Sequence, residues 1–351
     1  MFGKRTLWFV RCAFIVAGLG SAGGEARVVA SATAQPQTTE SSSVEKSTLN
    51  RKSTPNRKTT RSRRAAVRAT RFARALREAA TPRYRVDSQT GSVVPDLRAA
   101  AAIIYDPQTG EVIWQENAQD QRSIASITKV MTAVVFLDGN PDLTQQVVIT
   151  RDDIRRASTT YLKVKDRVSI DDLLHLLLIP SDNAAAHALA NTFPGGIPAF
   201  VERMNQKARE LNLESTRYAD TSGLLSDNVS SAYDMARLIT YAASNAQISA
   251  IMRIPEYSFQ TVSRRMITVH STNQLVRQGD IDVVGGKTGF ISKAGYCLAT
   301  LLRLPQGGPE IAVVVLGAQS NVGRFWETRH LFNWFTQNAQ SLFSTELLKD
   351  N

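Results

Sequence analysis

Apolar and polar positions alternate differently along three stretches of the chain. From Arg98 onward apolar residues recur with regular periods, between residues 35 and 62 they almost vanish, and near the start they form one short unbroken run. AAAIIYDPQTGEVIWQENA reads as two strands joined by a turn at Asp106-Pro107-Gln108-Thr109-Gly110, where Pro and Gly interrupt the run. A helix is predicted from Ser126 through Phe136. Helical spacing continues in SIDDLLHLLLI, DNAAAHALANTF, IPAFVERMNQKARELNL, SSAYDMARLITYAAS and AQISAIMRI. The pattern then returns to strands in YSFQTV, MITVHS, VVGGKTGFI, YCLATLLRL and EIAVVVLGA, and RFWETRHLFNWFTQNAQSLF closes the chain as an amphipathic helix. Strands at both ends with helices between them predict an α/β fold of the α+β kind. It would hold one antiparallel sheet flanked by helices, with an inserted helical lobe, over residues 98–345.

The apolar run near the start, CAFIVAGLGSA, follows Lys4, Arg5 and Arg11 and precedes small residues, the pattern of an export signal over residues 1–34. Ala30-Ser31-Ala32 and Ala32-Thr33-Ala34 offer cleavage sites. The run is short for a span of ~20 residues. An uncleaved anchor is the alternative, because Glu25 and Arg27 fall in the cleavage region. Export places the protein in the periplasm or cell envelope. With the signal removed, Cys297 is the one cysteine left, so no internal disulfide can form. Its apolar neighbourhood, AGYCLATLL, reads as a buried, inert thiol.

Charge changes the picture of what lies between. The chain carries a formal +11, and residues 46–85 hold fourteen Lys or Arg against one acidic residue, Glu78, while residues 86–351 sum to −3. Residues 35–97 are therefore expected to be a disordered basic arm, Ser/Thr/Arg-rich, with a short helix where Ala65, Ala69, Phe72, Leu76 and Ala79 are spaced as a helical seam. Such an arm could lie on an anionic envelope polymer or membrane surface. A solvated tether is the other reading, and the mostly Ala face favours it. The export signal argues against nucleic acid as a partner.

Three short strings carry chemistry. In SIASITKVMTA, Ser126 and Lys129 stand three apart at a helix start, on one face and within reach of each other. A Ser hydroxyl needs a base to become a nucleophile, and Lys serves as one when burial or a neighbouring cation lowers its pKa. Ser-x-x-K alone is weak, since Ser43 and Lys46 repeat it in the arm. Lys287-Thr288-Gly289 is not a phosphate loop, because Ile281 stands where that motif requires Gly. On a strand, Gly289 would let an extended substrate lie alongside, while Lys287 and Thr288 bind a carboxylate or orient the reacting group. The third string, Ser-Asp-Asn, occurs twice, at Ser181-Asp182-Asn183 and at Ser226-Asp227-Asn228.

The set Ser-x-x-K, Ser-x-Asn and Lys-Thr-Gly, in that order, is the known signature of serine β-lactamases and penicillin-binding proteins. The stretches IASITKVMTA, LLLIPSDNAAAHALA, FVERMNQKARELNL, TSGLLSDNVSSAYDMARL and GGKTGFISKAGYCLA resemble the D-alanyl-D-alanine peptidases, the low-molecular-mass penicillin-binding proteins, from about Ala99 to Phe335. The resemblance implies their fold and assigns the first Ser-Asp-Asn copy to the site. The second copy becomes a loop before a helix capped near Ser230 or Ser231. By the same resemblance Ser126 is the acylated nucleophile, Lys129 its base with a pKa depressed in part by Lys287, and Ser181 a proton relay. Asn183 would hold Lys129 and the substrate amide, and the N–H groups of Ser126 and Phe290 would bind the oxyanion. Lys287 and Thr288 would bind the substrate carboxylate, and Arg324 is a further carboxylate ligand. Peptidoglycan peptide stems are the implied substrate and β-lactams covalent inhibitors. No cofactor or metal is expected, and His175, His187, His270 and His330 show no ligand spacing.

The site is shared by several reactions. A class A β-lactamase would carry a Glu in an E-x-x-L-N string, which is absent. About sixty residues follow Lys287, room for two strands and a helix, which fits the single-domain D,D-endopeptidases. A D,D-carboxypeptidase, toward which Arg324 points, is the alternative. A non-catalytic penicillin-binding module is a third reading.

Overall fold

The computed structural model describes residues 77–346 together with residues 69, 70, 73 and 74, and side chains through Asn338. The expected export signal and most of the basic arm lie outside the described residues. A five-stranded antiparallel sheet organises residues 98–346. We label its strands β1 (Ala101–Tyr105), β2 (Val112–Glu116), β3 (Asp282–Ile291), β4 (Gly295–Arg303) and β5 (Glu310–Ala318), and their order in space is β3-β4-β5-β1-β2. The β1–β2 turn forms where the sequence placed it: the Asp106 carboxylate accepts the Gln108 N–H at 2.8 Å.

β1 and β5 read as continuous apolar runs because both faces of the sheet are covered. Alternate residues go to opposite sides. Ala312, Val314 and Leu316 enter the core under the helical lobe. Ile311, Val313 and Val315 enter a second core with Phe325, Leu331 and Phe335 of the C-terminal helix. The helices that matter for the site are α1 (Thr128–Asp138), α2 (Ile170–Leu178), α3 (Asn183–Asn191), α4 (Gly196–Glu210), α5 (Ala232–Ser244), α6 (Ala246–Met252) and α7 (Asn321–Glu346). α2 to α6 all fall between β2 and β3 in sequence, so the lobe is an insertion between strands of one sheet. Side-chain caps set several of its boundaries. Ser169 starts α2, Asp182 starts α3 and Ser231 starts α5, each accepting an N–H of the first turn.

Two features differ from expectation. Order begins before Arg98, inside the stretch expected to be disordered: Tyr84–Val86 pairs with Val93–Pro95 as a hairpin, while the helical residues 77–80 fall at the end of the short helix expected there. The hairpin has no core of its own. Trp334 Nε1 donates to the Val93 carbonyl at 3.2 Å, Arg85 pairs with Glu116 at 3.2 Å, and Arg83 pairs with Asp96. Trp334 and Glu116 are distant from the hairpin in sequence, so periodicity carried no signal of them. Short strand pairs at Gln146–Val148 with Arg167–Ser169, and at Arg122–Ser123 with Val229–Ser230, also went unforeseen, being too short for a period to register.

Candidate active site

Ser126 lies in a 3-10 turn, Ala125–Ile127, that runs directly into α1, rather than in the α-helix itself. The turn is under strain: Ala125 has φ +48°. Two glycines leave room for it. A Cβ on Gly223, whose φ is +83°, would overlap the Ala125 carbonyl oxygen, and a Cβ on Gly289 would stand 2.6 Å from the Ile124 carbonyl oxygen and 3.2 Å from the Ser126 nitrogen. The missing side chain of Gly289 thus makes room for the nucleophile turn. The same contact brings the Phe290 end of β3 beside the Ser126 N–H.

Lys129, one turn along α1, has no solvent exposure. Its Nζ stands 2.6 Å from Asn183 Oδ1, 2.6 Å from the Ser222 carbonyl oxygen and 3.0 Å from Ser126 Oγ. The first two partners can only accept. A neutral amine has two N–H groups and one lone pair, so those acceptors take both N–H groups and turn the lone pair toward the Ser126 hydroxyl. Burial lowers the Lys129 pKa to about 7, against the opposing pull of Asp220 and Asp182. Lys287 shares this environment and is the more strongly lowered of the two lysines. Burial first, then the charges of Lys129 and Arg324, hold the Lys287 ammonium well below its ordinary value. A site with a serine hydroxyl on the lone pair of a half-neutral lysine can deliver a nucleophile at neutral pH.

Ser181 sits at the break between α2 and α3 with φ +66°, and its buried Oγ has no hydrogen-bond partner among the described residues. Asp182 fixes that break. Its carboxylate accepts from Ala185 N, Tyr161 N and Thr160 Oγ1 at 3.1, 2.7 and 2.9 Å. Asn183 holds Lys129 as expected, but its Nδ2 donates to the Ala157 carbonyl at 2.6 Å, so the amide is also engaged by the protein. On β3, Lys287 is buried with Nζ 3.1 Å from the Thr288 carbonyl. Thr288 Oγ1 meets Thr272 Oγ1 at 2.6 Å, and the Thr272 N–H donates to the Ile179 carbonyl at 3.1 Å, tying the strand to the end of α2 beside Ser181. The Phe290 side chain is 48% exposed and stacks on Tyr296 with ring centroids 4.2 Å apart.

Arg324 departs from expectation. Its guanidinium is buried and bound by the protein: Nη1 donates to the Gly289 and Cys297 carbonyls at 2.9 and 3.2 Å, and Nη2 to Asn321 Oδ1 at 2.5 Å. It ties α7 to β3 and β4, and its buried Nε has no hydrogen-bond partner among the described residues. Cys297 is buried and free, and burial pushes its thiol up to about 11.

Sequence reasoning missed the segment Asp220–Asn228. Its Ser222 carbonyl is a direct partner of Lys129, and Gly223 shapes the nucleophile turn. Ser-Gly signals a turn, but nothing local says which side chain a turn will meet.

Residues 88–320, over half of the chain, match the peptidase family described as D-alanyl-D-alanine carboxypeptidase, and the chain belongs to that family. It is 34% identical over 245 residues to a D-alanyl-D-alanine endopeptidase of Pseudomonas aeruginosa, covering 68% of this chain and 77% of the relative. It is 34% identical over 259 residues to the D-alanyl-D-alanine carboxypeptidase DacD of Salmonella typhimurium, covering 70% and 64%. The crystal structure of a Streptomyces DD-transpeptidase superposes with a TM-score of 0.64 at 28% identity, covering 68% of this chain and 97% of that one.

Proposed function

We propose that this protein is a serine D,D-endopeptidase that hydrolyses D-alanyl cross-links of peptidoglycan through an acyl-enzyme and is inhibited by β-lactams. The observation that carries the reading is the buried Lys129, held by two acceptors with its lone pair on Ser126. Ser126 Oγ attacks the D-alanyl carbonyl as Lys129 Nζ takes its proton. The N–H groups of Ser126 and Phe290 hold the oxyanion. Ser181, whose hydroxyl has no hydrogen-bond partner among the described residues, relays the proton taken by Lys129 to the departing amine, which leaves Lys129 neutral again. Lys287 and Thr288 take the carboxylate end of the substrate or of penicillin. Water then attacks the acyl carbonyl as Lys129 takes its proton, and the proton returns to Ser126 Oγ as the ester bond breaks.

The endopeptidase reading is favoured by length of match: the alignment spans 77% of the Pseudomonas endopeptidase but 64% of the Salmonella carboxypeptidase. The family's own description as carboxypeptidase keeps terminal D-alanine release as the second reading. Digestion of cross-linked peptidoglycan and of monomeric pentapeptide muropeptides, with Ser126→Ala as control, decides. Conversion of dimers to monomers supports the endopeptidase, release of terminal D-alanine alone the carboxypeptidase. Acylation by labelled penicillin with neither substrate changed would make the protein a binding module.

The reaction belongs in the bacterial cell envelope. Among the described residues no helix is long and apolar enough to cross a membrane. The basic arm would hold the enzyme near anionic polymer or lipid. Replacing the Arg residues between 63 and 77 should lower salt-sensitive envelope binding without changing turnover of soluble muropeptides. Unchanged binding would make the arm a tether.

A further inference from the structure

We infer that Asp220 is a positioning residue for Lys129, closing the turn that holds the Ser222 carbonyl on the lysine amine. The inference rests on the reading of Lys129 as the base. Asp220 Oδ1 accepts from the Ser222 and Gly223 N–H groups at 2.7 and 2.5 Å and from Ser222 Oγ at 3.2 Å, and Oδ2 accepts from the Leu225 N–H at 2.6 Å. Three backbone donors on one carboxylate fix the conformation of residues 220–225. That turn is then locked on both sides. Thr132 Oγ1 of α1 donates to the Thr221 carbonyl at 2.7 Å, and Lys129 Nζ donates to the Ser222 carbonyl at 2.6 Å. Asn228 closes the far end: its Oδ1 accepts from the Ala219 and Asp220 N–H groups at 3.1 and 3.3 Å.

The turn decides where the lysine lone pair points. With the Ser222 carbonyl displaced, one N–H of a neutral Lys129 would be free to turn toward Ser126 and the lone pair away from it. Asp220 also acts by charge. The ionisable groups facing Lys129 are Lys287 from β3, Asp182 from the start of α3 and Asp220 from this turn, with Arg324 behind Lys287. Asp220 is the first of the two anions that favour the ammonium, so it opposes the burial that makes Lys129 a base. Removing its charge should therefore make the lysine lose its proton at a lower pH.

The test is the pH dependence of acylation by labelled penicillin, using the full chain, for the parent, Asp220→Asn and Asp220→Glu. In Asp220→Asn the acid limb should move to lower pH by on the order of half a unit. The maximal rate should fall about tenfold as the turn loosens. Asp220→Glu keeps the charge, so its limb should stay at the parental pH while its rate falls. An Asp220→Asn limb at the parental pH, at any rate, would overturn the inference and leave Asp220 a fold residue. Should Asp220→Asn not fold, Asp220→Glu decides: a maximal rate about tenfold lower at the parental limb supports the inference, and the parental rate overturns it. A parent that penicillin does not acylate at Ser126 would instead sink the reading of Lys129, and the inference with it.

Discussion

The two Ser-Asp-Asn copies are the same three residues in two different jobs. In the first, Ser181 carries a positive φ and an unpartnered hydroxyl, Asp182 caps α3, and Asn183 puts its Oδ1 2.6 Å from Lys129. In the second, Ser226 and Asp227 are exposed, and only Asn228 is buried. Asn228 touches no reacting group. Its side chain binds the Ala219 and Asp220 N–H groups and donates to the Leu225 carbonyl at 2.9 Å, while its own carbonyl accepts from Ile124 N at 3.1 Å. One Asn contacts the base through its side chain. The other holds the loop whose backbone contacts the same base. A motif is thus defined by what stands opposite it, not by its letters.

The comparison can be broken most sharply at Gly223. Gly223→Ala should abolish labelling by penicillin, since its Cβ overlaps the Ala125 carbonyl at a φ unsuited to side chains. Full labelling would show that the loop of the second copy does not shape the nucleophile turn. Next in size, Ser181→Ala should lower kcat on cross-linked muropeptides about 10²- to 10⁴-fold while Tm stays within a few degrees, because its hydroxyl makes no hydrogen bond among the described residues. The acid limb of kcat/KM should lie near the Lys129 pKa of about 7: the amine accepts a proton above it, is charged below it, and the rate is lost as pH falls. Asn183→Asp sets an anion against that amine and should move the limb to higher pH by roughly one unit or more. A limb that stayed in place would separate Lys129 from the rate. Asn228→Ala should act on stability, costing about 2–3 kcal/mol for buried groups left without partners, read as a lower denaturant midpoint. The kcat of its folded fraction should fall less than in Ser181→Ala. Ser226→Ala, at an exposed position, should change stability by less than about 0.5 kcal/mol and leave kcat alone.

Much of this was legible in the chain. β1 and β5 announced themselves as apolar runs, the lobe helices as periodic stretches, and the three strings as a set in a fixed order. Local signals suffice there because a strand or helix is chosen mainly by its own residues and the faces it must bury. The hairpin at Tyr84–Val86 was hidden because Trp334 and Glu116 hold it from afar. The tie from Arg324 to the Gly289 and Cys297 carbonyls was hidden for the same reason, since those carbonyls lie far from it in sequence.

By itself, the sequence determined the sheet and the inserted lobe, because periodicity is written residue by residue. Which Ser, Lys and Lys-Thr-Gly would meet was implied by the resemblance to the D-alanyl-D-alanine peptidases, not by any local pattern. Only the tertiary structure decided why Lys129 can serve as a base. Its burial, the Ser222 carbonyl and the Asp220 charge come from segments far apart in the chain. Desolvation and electrostatics depend on distance in space, and no local pattern encodes that distance.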